Sequence, residues 1–266
     1  MPVVSLVPVD PTIASSYDSA GKTGGPRANL KPLVKLGKAG IAHPEMAPAL
    51  KALSDGVAAR GGDLRITECH RDVAVQRAAR AKYDAWVKAG KPKPGTPAFN
   101  DKTMKAAFVA APGRSGHNAG RSIDVHLGAL KFAGVPADKQ LDVLWEIALP
   151  LGWSAIIKNP DESASEAWHL DYVGELKGVK NRLGYEQWAL CGAILVGHGD
   201  LTNYDANLQA LLCRAGHDIG EIDGQAGGKT KAALAAALKI TVEAASALVA
   251  AKDESIFPRL LALPAA

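Results

Sequence analysis

The sequence predicts an α+β fold, with a small antiparallel sheet and flanking helices, followed by a small all-helical unit. Between residues 44 and 175, short segments that alternate apolar and polar residues lie among segments with helical spacing. From about residue 180 the chain becomes rich in Ala and Leu, and helical stripes replace the alternation. We therefore expect one unit at 1–180, with an irregular lead-in at 1–43, and a second unit at 181–266.

Composition and charge exclude several classes of protein. The 266 residues are 47% hydrophobic and 22% charged, which is typical of a globular protein with a sizeable core. The net charge of +4 is uneven, because 1–180 carries 24 Lys and Arg against 18 Asp and Glu, whereas 181–266 carries 7 against 9. A basic first unit suits an anionic substrate or surface. No basic block resembles a nucleic-acid-binding arm, so we expect no nucleic-acid partner.

Cysteines and termini narrow the setting further. The three cysteines form no CxxC pair, which argues against a disulfide framework and against a cysteine zinc site. The apolar run at the N-terminus is short, lacks basic residues before it and is interrupted by Pro2 and Pro8, so we expect that it is not a signal peptide. No stretch approaches 18 apolar residues, so we expect no membrane span. We expect a monomer.

Four elements are predicted before residue 150. Helical spacing predicts a helix over 44–60, which ends at paired glycines, and further helices over 72–89 and 137–149. Alternation predicts a strand over 64–69. The inward positions of the first and last helices are Met46, Leu50, Leu53, Val57, Leu141, Leu144 and Ile147.

Two later segments are predicted to enter strands. Gly116 and Gly120 make a helix through 115–120 unfavourable, and the residues that follow alternate in polarity, as do those of 168–173. Residues of one parity share a face of a strand. If both strands lie in one sheet, Asp124 and His169 converge on its open face. Glu166 then lies in the loop just before the second strand. The residues expected in the core beneath them are Ile123, Val125 and Trp168.

The second unit is predicted to consist of short helices. One apolar stripe, which includes Leu208 and Leu212, stops at Gly216 and is followed by a turn-rich link over 218–224. A short helix over 230–238 comes next. Thr241 is then in position to cap a last helix. Since no cluster of catalytic residue types occurs here, the unit is typical of a binding module.

The polar residues of the first unit predict a metal-dependent hydrolase. His117, Asp124 and His169 form a ligand set that leaves one zinc ion an open coordination position. Glu166, three residues before the last His, is placed to deprotonate water bound there. Arg71 is the candidate for a second cation that stabilises the developing oxyanion. Ser115 and Gln76 are candidates for hydrogen bonds to the substrate.

The motifs Ser-x-His-x-x-Gly-x-x-x-Asp at 115–124 and Glu-x-Trp-His at 166–169 resemble those of the zinc D-Ala-D-Ala peptidases of the VanX/VanY type. That family is related to lysostaphin-like metallopeptidases and to the hedgehog signalling domain. The resemblance covers about 40–175, and it implies His117, Asp124 and His169 as zinc ligands and Glu166 as the base.

The resemblance extends upstream, with departures. Arg71, followed by Gln76, matches an Arg that the family carries at a strand–helix junction with a Gln a few residues on. The residues around Arg71 depart from the family pattern. Ser122 replaces a small Ala of the pattern, and we expect this replacement to have little effect. The departing residues around Arg71 are Cys69, His70 and Asp72.

The tail resembles the three-helix peptidoglycan-binding module. The order of Leu208-Gln209, Asp223-Gly224 and Thr230 follows its LQ…DG…T pattern, although its usual aromatic positions are poorly matched. The alternative is a helical tail that only packs on the first unit.

The sequence therefore predicts a two-part, cell-wall lytic zinc peptidase of the D,D-carboxypeptidase or endopeptidase type, with peptidoglycan as its partner. It would cleave a stem-peptide or cross-link bond beside a D-amino acid. Alternatives are an L-alanyl-D-glutamate peptidase of the endolysin type, a non-catalytic hedgehog-like zinc protein, and a hydrolase of an unrelated amide whose tail serves oligomerisation. Action on the wall, in the periplasm or outside the cell, then requires phage-type release or delivery by a secretion system. A cytoplasmic dipeptidase is the remaining alternative.

Overall fold

The computed structural model of the protein describes residues 2–15, 38–156 and 166–266. The strands within these ranges are Val7–Pro8 (β1), Ala14–Ser15 (β2), Lys38–Ala39 (β3), Ile41–Ala42 (β4), Arg65–Glu68 (β5), His70–Arg71 (β6), Ser122–Val125 (β7), Trp153–Ala155 (β8) and His169–Tyr172 (β9). The α-helices there are Met46–Ala59 (α1), Val73–Lys88 (α2), Gln140–Ala148 (α3), Lys177–Leu195 (α4), Tyr204–Arg214 (α5), Gly228–Leu238 (α6), Val242–Ala250 (α7) and Ile256–Leu261 (α8).

A five-stranded sheet forms the centre of the first part of the chain. Its strand order is β2-β5-β7-β9-β8, and every pair is antiparallel except β2 with β5. The pairs β1–β4 and β3–β6 form two small antiparallel sheets. This mixture of helices and largely antiparallel strands, followed by α4 to α8, confirms the predicted α+β class.

One face of the central sheet is buried under α1 and α3, as the periodicity predicts. The inward residues predicted for α1 are all fully buried, as are Leu144 and Ile123. Ile147 is partly buried and packs on the same cluster. The prediction for Trp168 is wrong, because its side chain is 40% exposed. Strand β9 begins only at His169, and Trp168 lies in the preceding turn, where Ala167 takes the buried position.

The lead-in differs partly from the irregular segment expected. Residues 7–8 and 41–42 pair as β1 and β4, and 14–15 add a parallel edge strand beside β5. Each of these strands has two residues, which is too short for a periodic pattern to predict. Residues 16–37 of the lead-in lie outside the described residues.

Helices α4 to α8 share a second hydrophobic cluster whose buried members all come from 176–260. Thr241 caps α7 by accepting a hydrogen bond from the backbone N–H of Ala244, as predicted. The predicted boundary at 180/181 falls inside α4, which has a kink at Gly184. Among the described residues no single helix is both long and apolar enough to cross a bilayer. Helices α6 and α7 meet the criterion only as a pair bent by 112°.

The motif of the tail has a structural role in this unit. The Gln209 amide is buried, and its nitrogen donates to Asp223 Oδ1 at 2.8 Å and to the carbonyl of Gln225 at 3.1 Å. Its oxygen accepts from the Gly224 N–H at 2.8 Å. Thr230 Oγ1 lies 3.5 Å from the same nitrogen. In this unit, these residues hold the loop that leads into α6 against α5.

An arginine network joins the two hydrophobic clusters. The fully buried Arg121 donates to Glu45 Oε2 at 2.8 Å and to Glu175 Oε1 at 3.0 Å. Glu175 in turn accepts from Arg214 of α5 at 3.1 Å. Arg121 directly precedes β7, so this network connects the helical region to the strand that carries Asp124.

Candidate active site

The pairing of β7 with β9 places four polar residues on the open face of the sheet. Val125 donates its backbone N–H to Trp168 at 2.9 Å, and Tyr172 donates to Arg121 at 2.7 Å. These flanking hydrogen bonds make Asp124–His169 and Ser122–Asp171 the non-hydrogen-bonded pairs of the register. Side chains approach most closely at such pairs, where the Cα atoms are about 4.5 Å apart. The expectation that Asp124 and His169 share a face is confirmed.

His117 reaches this face from the turn at 115–120. Gly120 in that turn has φ +64°, and a side chain there would meet the backbone of His43. The His117 ring donates from Nδ1 to the Cys69 carbonyl at 2.7 Å, which directs Nε2 towards Asp124 Oδ1 at 3.2 Å. The ring is 2% exposed and is therefore held in this orientation.

A second carboxylate, that of Asp171, orients the His169 ring so that Nδ1 faces Asp124. Its Nε2 donates to Asp171 Oδ1 at 2.9 Å, which leaves Nδ1 3.0 Å from Asp124 Oδ1. One nitrogen of each imidazole and one oxygen of Asp124 thus converge, all within 4.8 Å of one another. Two imidazoles with a carboxylate are a ligand set for a divalent transition metal.

The same proximity controls the charges of the site. Burial raises the pKa of Asp124, but His117 and His169 outweigh burial and hold it well below its usual range. Burial lowers the pKa of His169, but Asp171 and Asp124 together raise it to about 10. Asp124 is therefore a carboxylate, and both imidazoles lower its pKa.

Glu166 lies in the turn before β9, as expected. Its carbonyl accepts the His169 N–H at 2.9 Å, and its φ of +68° lies in the left-handed region that non-glycine residues seldom adopt. Burial, and then the charges of Asp171, Glu166 and Asp124, raise the pKa of Tyr185 well above its usual value. The charges of Glu166 and Asp124 therefore both disfavour ionisation of the Tyr185 hydroxyl.

Arg71 is held beside the three convergent residues. Its Nε and one terminal nitrogen donate to the two oxygens of Glu68 at 2.7 and 2.6 Å, and the other terminal nitrogen donates to Gln76 at 2.6 Å. Burial lowers the pKa of Arg71, but Glu68 and then Asp124 raise it. A guanidinium has five N–H donors, and within the described residues three are used by Glu68 and Gln76, which leaves two for another acceptor.

Gln76 and Ser115, the two candidates for substrate contact, lie differently. Gln76 is fully buried, donates to the Ala110 carbonyl at 2.7 Å and accepts from Arg71. Both ends of the Gln76 amide are thus bonded to protein atoms, and Gln76 supports Arg71. Ser115 is 5% exposed at the start of the His117 turn, where its carbonyl accepts from the Asn118 N–H at 2.9 Å.

A second group of residue types that can bind metal surrounds the guanidinium of an arginine instead. His43, Glu45 and Glu175 lie within 4.8 Å of one another. The Arg121 guanidinium lies among them, at 3.3 Å from the His43 ring. Burial, and then Arg121, lower the pKa of His43 to about 2. A metal cation is therefore disfavoured at this position.

Sequence reasoning missed three residues that support the site. Asp171 shares the parity of His169, which is a signal that could have identified it. Ser122 donates to Asp171 Oδ1 at 2.6 Å, a contact that an Ala at this position could not make. Tyr185 accepts from the Gly116 N–H at 3.4 Å, and no sequence signal connects it with that turn.

Comparison with known proteins identifies the first part of the chain. The family model VanY, described as D-alanyl-D-alanine carboxypeptidase, matches residues 41–175. The match contains β5 to β9 and all the convergent residues described above. The curated proteins gave no match.

Gly116→Ala is expected to disrupt the site. An added Cβ would overlap the Ser122 hydroxyl and lie 2.9 Å from Asp171 Oδ1 and 3.0 Å from the Trp188 ring. We expect a loss of about 1–3 kcal/mol in the free energy of unfolding, measured by urea denaturation. Gly228→Ala is the matched control, because its Cβ would meet nothing within 4 Å. Equal stability of the two variants would contradict the close packing of this turn.

Proposed function

We propose that this chain, which belongs to the VanY family of D-alanyl-D-alanine carboxypeptidases, is a zinc-dependent peptidase. Its type would be a D,D-carboxypeptidase or endopeptidase. Membership in this family makes it a peptidase that acts on peptidoglycan. The finer assignments are the metal, the bond beside a D-amino acid and the role of each residue. The convergence of His117, Asp124 and His169 is the single observation that carries the metal assignment, and the bond follows from the family.

The residues present fit one zinc ion. Both imidazoles donate their other N–H to fixed acceptors, the Cys69 carbonyl and Asp171, so each turns an unprotonated nitrogen towards Asp124 when it is neutral. These two nitrogens and one carboxylate oxygen would hold zinc with three protein ligands, which would leave a position for water or substrate. When bound, zinc lowers the pKa of water towards ~7 and polarises a carbonyl.

Glu166 and Arg71 are the residues we assign to the chemistry. Glu166 accepts a proton from the attacking water and returns it to the leaving amine. Glu166, with a φ of +68°, lies in the turn before β9, and its carbonyl accepts the backbone N–H of His169. Arg71 offers its two remaining N–H groups to the oxyanion that develops on the scissile carbonyl. Gln76 and Glu68 hold Arg71 in place, and Ser115 remains a candidate for a hydrogen bond to the substrate.

Glu166→Gln is expected to lower kcat by about 10²–10⁴, because the amide cannot accept a proton. Mass spectrometry of muropeptides after digestion measures this loss and also identifies the bond. Release of one alanine indicates a carboxypeptidase, separation of cross-linked dimers an endopeptidase, and cleavage after L-alanine the endolysin type. Glu186→Gln, at a glutamate whose side chain is 74% exposed on α4, is the matched control. Full activity of Glu166→Gln with zinc bound would make the mechanism wrong.

Zinc binding tests the ligand set independently of activity. We expect one zinc per chain in the wild type, as measured by plasma mass spectrometry after dialysis, and less than a tenth of that in His169→Ala and Asp124→Ala. His126→Ala is the control, because His126 follows β7 directly but is not in the convergent group. Retention of zinc by both ligand variants would refute the assignment.

The alternative of a non-catalytic, hedgehog-like zinc protein makes a different prediction. In that case zinc would bind stoichiometrically, and wild type and Glu166→Gln would both leave peptidoglycan intact. The presence of Glu166 favours the peptidase, since a non-catalytic zinc site has no need of a general base.

We also propose that 176–266 binds peptidoglycan and holds the enzyme on the wall. The order of the motif around Gln209 and the separate hydrophobic cluster support this proposal. We expect the full-length Glu166→Gln protein to sediment with insoluble peptidoglycan. A fragment of 176–266 should sediment with it as well, because the buried members of that cluster all come from this segment. If a soluble, folded fragment stays in the supernatant, the helical region does not bind peptidoglycan and only packs on the first part of the chain.

A further inference from the structure

We propose that Asp171, held by Ser122 and by Lys180 of α4, is a positioning residue for His169. The inference rests on the proposed role of His169 as a metal ligand. It means that a helix outside the matched residues 41–175 supplies part of the metal site.

The Asp171 carboxylate is fully buried and uses both of its oxygens. Oδ1 accepts from Ser122 Oγ at 2.6 Å and from His169 Nε2 at 2.9 Å. Oδ2 accepts from Lys180 Nζ at 3.3 Å. A buried carboxylate is costly unless it is paired and hydrogen-bonded, and these three contacts meet that requirement. They also prevent rotation of the carboxylate about its Cβ–Cγ bond.

This fixed carboxylate determines which nitrogen of His169 faces the metal position. Since Nε2 donates its hydrogen to Asp171, the lone pair of a neutral ring is on Nδ1, which lies 3.0 Å from Asp124 Oδ1. If Asp171 could turn away, Nε2 would lose its acceptor and the ring could adopt the other tautomer. A hydrogen-bonded carboxylate also makes the imidazole a stronger ligand.

Lys180 is itself directed inward by α4. Its ammonium group lies 5.2 Å from the centre of the Trp188 ring and 5.6 Å from that of Tyr185, both on the same helix. It also donates to Ser154 Oγ at 3.4 Å. The side chain is 19% exposed, so the Lys180–Asp171 pair is shielded from water to a degree that surface pairs lack.

The same helix supports the second imidazole. Tyr185 accepts from the Gly116 N–H, and the Trp188 ring lies against the position of a Gly116 side chain. Gly116 directly precedes His117 in the chain. Helix α4 therefore contacts Asp171, which orients His169, and the turn that carries His117. The Lys180 contact with Asp171 is a contact between opposite charges.

The test measures zinc affinity in the full-length protein, by competition with a chromophoric chelator, and requires no activity. We expect Lys180→Met to weaken zinc binding about 10-fold or more, and Lys180→Arg to restore most of it. Lys177→Met is the matched control, at an exposed lysine of the same helix. Ser122→Ala removes one hydrogen bond to Asp171 and should weaken zinc binding by a smaller factor, so it serves if Lys180→Met does not fold.

A cobalt spectrum separates positioning from simple stabilisation. If the inference is correct, the visible absorption bands of bound Co²⁺ shift in Lys180→Met and not in Lys177→Met. Zinc affinity within two-fold of wild type in folded Lys180→Met, with a lower free energy of unfolding, would overturn the inference and leave a structural ion pair. Unchanged zinc affinity in His169→Ala would instead show that the proposed metal site itself is wrong.

Discussion

The antiparallel register of β7 with β9 is the constraint on which the site depends. It makes Asp124–His169 and Ser122–Asp171 non-hydrogen-bonded pairs, whose side chains are closest on one face of the sheet. The first pair supplies two of the proposed ligands, and the second holds the carboxylate that orients His169. A slip of one residue would turn His169 and Asp171 towards the core.

The hydrophobic core enforces this register. Ile123, Val125 and Leu170 occupy the opposite face and are at most 3% exposed. Burial of each such side chain contributes about 1.5–3 kcal/mol. A slipped β9 would lose the burial of Leu170 and would place Asp171 without its partners among apolar side chains, which is strongly unfavourable. The geometry of the polar face is therefore maintained by the buried apolar residues of the opposite face.

The features that could be predicted from the sequence are those with a local signal in the strands. Alternation revealed the strands, and parity placed Asp124 and His169 on one face, because those signals are local. Trp168 was assigned wrongly because the strand parity was extended one residue into a turn, where the backbone no longer alternates. Lys180 could not be predicted, since its contact with Asp171 depends on how α4 packs across the sheet.

Helix α4 connects the helical region, which we propose as a wall anchor, to the proposed metal site. A protein that needed only a tether could attach it by a flexible linker. Here α4 follows the matched segment directly, carries Lys180 to the buried Asp171 and sets Trp188 against the His117 turn. Glu175 binds Arg121 and Arg214 at the same junction. These contacts connect the proposed metal site to the helical region through α4 and Glu175.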